Sequence, residues 1–323
     1  MTRRSRQRPL TLWIAPLALA ALFLVSLSVG ASRPAGSLGF DRDSLHLLFA
    51  SRLPRTLAAM LSGAGLAIAG LIMQSVARNR FVEPATAGTA QSAALGILLV
   101  TLFHPAASLA VKTASAAATA LAGTTVFMMT AHRLPPEQPY LVPLFGLVYG
   151  GVIGAGVTFV AWQADLLQYV EIWTNGEFSG VLRGRYELLW IAVPMVAIAW
   201  WAADRLTILS LGRDASIGLG ISYERMLQLG LVIVSVITAL TVSVAGMIPF
   251  VGLVVPNLAA RLLGDNIRAS IAWVAIAGAA LVLGCDVIGR LLRYPYEIPV
   301  GTVMGVAGAC LFLILLFGRA RDA

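Results

Sequence analysis

The feature that most constrains this chain is a succession of ten apolar runs separated by short, arginine-bearing turns. A helix needs roughly 20 apolar residues to cross a bilayer, and in lipid it must satisfy its own backbone polar groups. The pattern therefore predicts an all-α integral membrane protein with about ten transmembrane helices. The runs cover residues 10–30, 56–77, 90–103, 110–130, 141–163, 188–203, 226–245, 248–263, 271–288 and 299–317.

Composition supports lipid as the solvent of this chain. Of its 323 residues, 59% are hydrophobic and 12% are charged, whereas soluble domains carry about 25% charged residues. The net charge of +8 is almost entirely arginine, since Lys112 is the only lysine. Because these arginines lie in short turns between apolar runs, they indicate membrane orientation and not nucleic-acid binding.

The distribution of basic residues favours an orientation with both termini in the cytoplasm. An even number of crossings puts fourteen basic residues inside and nine outside, and the cytoplasmic side normally carries the excess. The apolar run after "MTRRSRQRPL" is too long for a signal peptide and has no clear cleavage site, so we expect a retained first span. This predicts a cytoplasmic segment 1–9, one transmembrane domain 10–318 and a cytoplasmic tail 319–323.

The longest polar interruption in the second half of the chain covers residues 203–226, on the predicted cytoplasmic side. Apolar and polar residues alternate in "ADRLTILSLGRDASIGLGISYERM", and glycines punctuate it. We expect two short helices joined by a turn and packed at the membrane surface. Two interpretations remain open: an interfacial amphipathic segment, or a docking element for a cytoplasmic partner.

No catalytic or metal-binding constellation stands out in the sequence. Cys285 and Cys310 lie in apolar runs without metal-ligand spacing, so we expect two small buried hydrophobes. His46, His104 and His132 stand alone in predicted loops, where we expect them to face solvent. These observations argue against a membrane enzyme and predict no directly bound metal or cofactor.

Five stretches are distinctive in combination: "RLPRTLAAMLSGAGLAIAG", "RNRFVEPATAGT", "LGRDASIGLGI", "AGMIPFVGLVVPNLAARLL" and "YEIPVGTVMGVAGACLFLILL". Together they resemble a known family, the FecCD-type permease subunits of type II ABC importers, which carry ferric siderophores, haem or cobalamin. They occur in family order and spacing between about residues 52 and 319, and "RNRFVEPATAGTAQSAALGI" is most similar to the iron–siderophore branch.

The resemblance implies that this chain is one subunit of a transporter built from several polypeptides. Permeases of this kind have ten helices and pair as homodimers or paralogous heterodimers. Two cytoplasmic ABC ATPase subunits drive them, and a periplasmic or lipid-anchored binding protein delivers the ferric siderophore. This chain has no G-x-x-x-x-G-K-[ST] phosphate loop, so we expect ATP to be hydrolysed by the partner subunit. The implied location is the bacterial inner membrane.

The resemblance also implies a role for arginines at the outer side. Residues matching Arg52, Arg55 and Arg290 face outward in the family and pair with carboxylates of the binding protein, and Arg293 could share that role. An outward cationic ring steers an acidic partner, and the planar guanidinium grips a carboxylate through two hydrogen bonds. Two alternatives remain open: Arg52 and Arg55 as headgroup anchors, and a local pair between Arg290 and Asp286, four residues earlier.

Two further sites follow from the resemblance. The coupling contact with the ATPase is expected at Gly212, Asp214, Ala215, Ser216, Gly218, Leu219 and Gly220. The cytoplasmic gate is expected at Asn79 and Phe81, with "PPEQP" (135–139) as its partner, although a simple turn between helices would explain the stretch equally well. Many family members carry histidine where this chain has Asn257, which cannot take a proton near neutral pH.

Rival functions differ in what they require. A cobalamin or haem permease of the same family would leave little local signature in the sequence. An ion-coupled secondary transporter would need an ionisable residue buried near the membrane midplane, and the runs here carry almost no charge away from their ends.

Overall fold

The computed structural model describes residues 8–29, 42–135, 137–138, 140–293 and 295–320, and this part of the chain is helical without β-strands. A π-helical turn, Leu48–Arg52, joins α2 to α3, and a 3-10 turn, Glu187–Ile191, leads into α8. The α-helices are α1 Arg8–Ser28, α2 Arg42–Leu47, α3 Leu53–Val76, α4 Thr89–Phe103, α5 Leu109–Ala131, α6 Leu141–Gln163, α7 Leu167–Thr174, α8 Ala192–Trp201, α9 Ala203–Leu209, α10 Arg213–Gly218, α11 Tyr223–Ala245, α12 Val251–Leu263, α13 Ile267–Leu292 and α14 Val300–Ala320.

Membrane-length helices confirm the all-α membrane class. Within the described residues, six helices are long and apolar enough to cross a bilayer, or seven if α8 and α9, bent by 65°, form one broken span. The apolar part of α1, together with α4 and α12, is shorter, at 10–17 residues. The short runs at 90–103 and 248–263 are therefore short helices, as the sequence indicated, and the number of ten crossings stays a prediction.

The centre of the bundle is built on α3. Its buried surface is rich in glycine, alanine and serine, which let neighbouring helices approach closely where lipid supplies no hydrophobic drive for association. An added Cβ at Gly63 would overlap the carbonyl of Gly278 in α13, and one at Gly70 would overlap Gly252 in α12. By contrast, α6 and α14 are mostly exposed.

The two cysteines differ in environment. Cys285 is buried in α13, as expected, but Cys310 is exposed on α14. The expectation for Cys310 was therefore wrong for the isolated chain. Apolarity at that position reflects a helix face that is turned away from the core of this chain and not a place in that core.

Irregular backbone between α11 and α12 is satisfied by a neighbouring loop. Gly246 and Phe250 adopt positive φ angles of 80° and 66°, which interrupts the helix. The Met247 N–H donates to the Trp173 carbonyl at 3.0 Å, the Glu177 N–H to the Ala245 carbonyl at 2.7 Å, and the Gly301 N–H to the Gly176 carbonyl at 2.8 Å. Broken helices are tolerated inside a membrane protein when such partners are present.

The bundle has two faces that are used below. The Arg55 face is the end where α3 begins and α13 ends; the Arg78 face is the end where α3 ends and α13 begins, and it also carries α9 and α10. The arrangement results from antiparallel packing of α3 on α13. Gly63 meets Gly278 near the middle of both helices, and Arg55 at the start of α3 meets Asp286 near the end of α13.

Candidate functional site

A cluster of buried charges lies at the Arg55 face. Arg55, at the start of α3, donates from Nη2 to Asp286 Oδ1 and from Nη1 to Glu297 Oε2, each at 2.8 Å. Arg290 Nη2 reaches Asp286 Oδ2 at 2.9 Å. Asp286 therefore bridges two arginines, and hydrogen-bonded pairing of this kind is what makes buried charges tolerable.

Two arginines of this face hold the end of α1. Arg290 Nη1 donates to the carbonyls of Ser26 at 3.1 Å and Val29 at 2.8 Å. Arg52 Nη1 donates to the Leu27 carbonyl at 3.0 Å. The last carbonyls of a helix lack partners within the helix and carry partial negative charge, so cations stabilise them. Arg52 and Arg290 therefore supply hydrogen-bond donors to the carbonyl end of the first helix.

These contacts correct the expectation that all of the docking arginines face outward. The side chain of Arg55 is only 12% exposed and that of Arg290 only 3%, because internal carboxylates and α1 carbonyls already satisfy them. The local Arg290–Asp286 pair is confirmed. Arg52 is half-buried, whereas Arg293 is exposed and lies over the Tyr296 ring at 5.7 Å. Contact of any of the four with a partner stays a prediction.

The segment 203–226, here called the coupling segment, has the form that the sequence indicated. It contains the short helices α9 and α10 joined by a turn at Gly212, whose φ of 107° favours glycine. Ser216 is buried, and its hydroxyl donates to the Gly212 carbonyl at 2.7 Å, which closes the turn. Three apolar side chains of this segment are exposed: Leu211 in the turn (65%), Ile217 in α10 (55%) and Leu219 directly after α10 (61%).

The coupling segment is attached to the start of α13. The Ile267 N–H donates to Thr207 Oγ1 at 3.2 Å, and Arg268 pairs with Asp204 at 3.6 Å. The Arg268 guanidinium also lies over the Trp200 ring at 4.2 Å. Because α13 ends beside Asp286 and Arg290, a single helix joins the coupling segment to the charge cluster of the opposite face.

The predicted gate residues lie in a tight turn after α3. Asn79 is buried, and its Oδ1 accepts the Phe81 N–H at 2.9 Å. The Phe81 ring meets Phe312 of α14 edge-on, with 6.0 Å between centroids. Asn257 donates to the Arg80 carbonyl at 2.8 Å, so it holds the turn without any titrating group. Of the segment 135–139, Pro136 and Pro139 lie outside the described residues.

Sequence reasoning missed one buried carboxylate. Glu83 lies in the connection after Phe81 and is 2% exposed. Its Oε1 accepts the Phe250 N–H at 2.9 Å, at the start of α12, where the first amides of a helix lack partners and an anion is favoured. The quoted motif contains Glu83, but nothing in a single sequence pairs it with a residue 167 positions away.

The Arg78 face also contains a polar cavity of about 290 Å³ between the end of α3 and the coupling segment, lined among others by Arg78, Asn79 and Asp265. Arg78 has a left-handed backbone (φ 47°), and its guanidinium packs over Gly212. The three histidines are exposed, as expected, but His46 lies in α2 and not in a loop.

Comparison with known proteins shows the family of this chain. The family model of the FecCD transport family matches residues 15–318. The chain is 40% identical over 307 residues to the petrobactin import system permease protein YclN of Bacillus subtilis, covering 95% of this chain and 97% of that protein. It is 38% identical to the ferric-anguibactin transport system permease protein FatD of Vibrio anguillarum, covering 94% of this chain and 98% of that protein.

A solved structure has the same fold. The chain superposes with a TM-score of 0.82 on a metal-chelate type ABC transporter in an inward-facing conformation, at 25% identity, covering 96% of this chain and 99% of that one. A helical bundle of this shape, similar over nearly its whole length to import permeases, is the multi-pass permease subunit of an ABC importer. The chain belongs to the FecCD transport family.

Proposed function

We propose that this chain translocates a ferric siderophore across the bacterial inner membrane by alternating access. The observation that carries the proposal is near full-length similarity to permeases named for petrobactin and ferric-anguibactin. The energy would come from ATP hydrolysed by a separate cytoplasmic ABC subunit. The pathway would lie between two permease subunits, either two copies of this chain or this chain and a paralogue.

The Arg55 face would be the outer mouth that receives the delivery protein. Arg52 and Arg293 keep part of their surface free and would meet acidic side chains of the partner first. Arg55 and Arg290 would join the contact after exchanging internal carboxylates for those of the partner. Docking driven by such charges is fast at low ionic strength and slows as salt increases.

The Arg78 face would be cytoplasmic, with both termini on that side. The exposed apolar side chains at the tip of the coupling segment, Ile217 and Leu219 among them, would fill a groove on the ATPase. Gly218 and Gly220 have open space around them, so an approaching surface would meet no obstruction there. The Phe81–Phe312 contact would form part of the cytoplasmic gate, an apolar barrier that opens when α14 moves.

The proposal is tested by reconstituting uptake. The chain is expressed in bacteria that lack their own siderophore importers, alone or with each paralogous permease of its source genome. Each of these combinations is tested together with each ATPase and binding-protein pair that the genome encodes. Uptake of ⁵⁵Fe-siderophores is the readout, and the pair that restores it defines the cognate partners. A matched control carries a Walker-A lysine substitution in the ATPase and is expected to abolish uptake.

Three results would contradict the proposal. Accumulation of cobalamin or haem in place of the iron chelates would show that the proposed substrate is wrong. Uptake that survives the Walker-A substitution but stops with a protonophore would identify an ion-coupled carrier. Failure of every partner pair to support uptake would overturn the assignment altogether.

A further inference from the structure

Glu297 holds Arg55 in a way that differs from the contact made by Asp286. Arg55 Nη1 lies 2.9 Å from Glu297 Oε1 and 2.8 Å from Oε2. Glu297 makes no other ion pair within the described residues. Asp286, by contrast, is shared between Arg55 and Arg290. Removal of Glu297 would leave Arg55 paired with Asp286. Removal of Asp286 would take one of two carboxylates from Arg55 and the ion-pair partner that the described residues offer to Arg290.

Position and burial also separate the two acids. Asp286 is in α13 and is 2% exposed, whereas Glu297 lies in the extended segment before α14 and is 15% exposed. A carboxylate that approaches from outside would therefore reach the Glu297 side of the guanidinium first. Exchange of one carboxylate for another there conserves the charge pairing of Arg55, so no bare charge is buried during the exchange.

We propose that Glu297 is an internal competitor for the docking carboxylate of the acidic delivery protein. It occupies Arg55 while the outer mouth is empty and is displaced when the partner docks. Because it belongs to the same chain, its effective concentration at Arg55 is high, and it weakens docking. This weakening would let the emptied delivery protein leave. The inference rests on the docking role proposed above.

The test measures docking directly. The full transporter, with its ATPase subunits and assembled in nanodiscs, is titrated with the purified binding protein that restored uptake. Glu297→Gln keeps the shape of the side chain and removes its charge. We expect its Kd to fall about three- to tenfold, mainly through slower dissociation, because affinity differences among variants of one interface lie mostly in the dissociation rate. Glu297→Asp, which keeps the charge but shortens the reach, should give part of this gain.

Two controls separate competition from a general change of charge. Glu177 lies on the same face and contacts Ser179, and it pairs with no arginine in the described part of the chain. Glu177→Gln removes the same charge and should change the Kd less than about twofold. In an Arg55→Met background, Glu297→Gln should give no gain, because the group for which Glu297 competes is missing.

The outcomes distinguish this inference from the docking proposal. If wild-type transporter does not bind the delivery protein, or if Arg52→Glu and Arg293→Glu leave binding unchanged, docking at this face is wrong and the inference falls with it. If docking is normal but well-folded Glu297→Gln binds equally or more weakly, only the inference is overturned. A gain that persists without Arg55, or that Glu177→Gln reproduces, overturns it as well.

Discussion

At the scale of single residues, the charges at the Arg55 face are held by partners within the chain. Asp286 and Arg290 are four positions apart on one helix, a spacing that predicts their pair from sequence. Arg55 and Asp286 are 231 positions apart, and no local rule joins them. The resemblance to importers pointed to Arg55 and Arg290, but it could not say that partners for them lie within the chain.

We expect the stability of the charge cluster at the Arg55 face to depend most on Asp286. Asp286→Asn leaves the buried Arg55 and Arg290 short of compensating charge, and breaking a buried pair costs about 3–5 kcal/mol. We expect a clear drop in the apparent melting temperature of the detergent-purified protein. The matched control is Asp265→Asn, which breaks the exposed pair with Arg80 and should cost less than about 1 kcal/mol. Equal drops for the two variants would contradict this account.

Glu83 gives a second prediction at this scale. Glu83→Ala removes a buried side chain and leaves the partly buried Phe250 N–H without its acceptor, at a cost of about 1–3 kcal/mol. Glu83→Gln retains a carbonyl acceptor and should recover most of that loss. Thermal unfolding followed by size-exclusion chromatography compares the two variants. If Glu83→Gln destabilises the protein as much as Glu83→Ala, this account is contradicted. The stabilising effect of Glu83 would then come from its negative charge and not from its role as a hydrogen-bond acceptor.

At the scale of helices, small residues decide how closely the central elements approach. Gly63 and Gly278 bring α3 and α13 into backbone contact. The start of α3 and the end of α13 then share the Arg55 face, and the end of α3 and the start of α13 share the Arg78 face. The sequence indicated close packing from runs such as "SGAGLAIAG". It did not indicate which glycines meet, because small residues occur on most faces of these helices.

The contact between α3 and α13 predicts a strong asymmetry between glycines. Gly63→Val would drive a branched side chain into the Gly278 carbonyl, and overpacking of this kind costs roughly 1–3 kcal/mol. Gly151 in α6 has nothing within 4 Å of an added Cβ, so Gly151→Val should be tolerated by the isolated chain. Melting temperature and yield of monodisperse protein are the measurements. A tolerated Gly63→Val would show that the helices are less tightly held than the structure indicates.

At the scale of the whole molecule, α13 connects two surfaces that face opposite ways. The helix begins beside Thr207 and Asp204 of the coupling segment and ends at Asp286 and Arg290. Movement of the coupling segment would therefore shift the start of α13 directly, and packed helices transmit such shifts as rigid bodies. The proposed transport cycle uses this connection between the ATPase side and the docking side.

A substitution at the coupling tip should separate folding from coupling. Leu219 is exposed, so Leu219→Asp should leave the melting temperature unchanged. It should lower ATP-dependent uptake and ATPase co-purification by tenfold or more, roughly the effect of losing an apolar anchor at an interface. Arg133→Asp, also exposed at the Arg78 face but outside the coupling segment, is the control. Normal uptake by Leu219→Asp would place the ATPase contact elsewhere.

By itself, the sequence determined that this is a helical membrane protein with a structured segment at residues 203–226, because long apolar runs and a distinct polar interruption are local properties. It also carried enough motif for the family to be recognised. Only the tertiary structure decided that Arg55 is paired internally, that Arg290 also holds the end of α1, that Glu83 caps α12 and that Cys310 lies outside the core. Those facts depend on residues that are distant along the chain and meet only when the helices pack, and apolar patterning constrains how each helix is buried far more than which helix lies beside it.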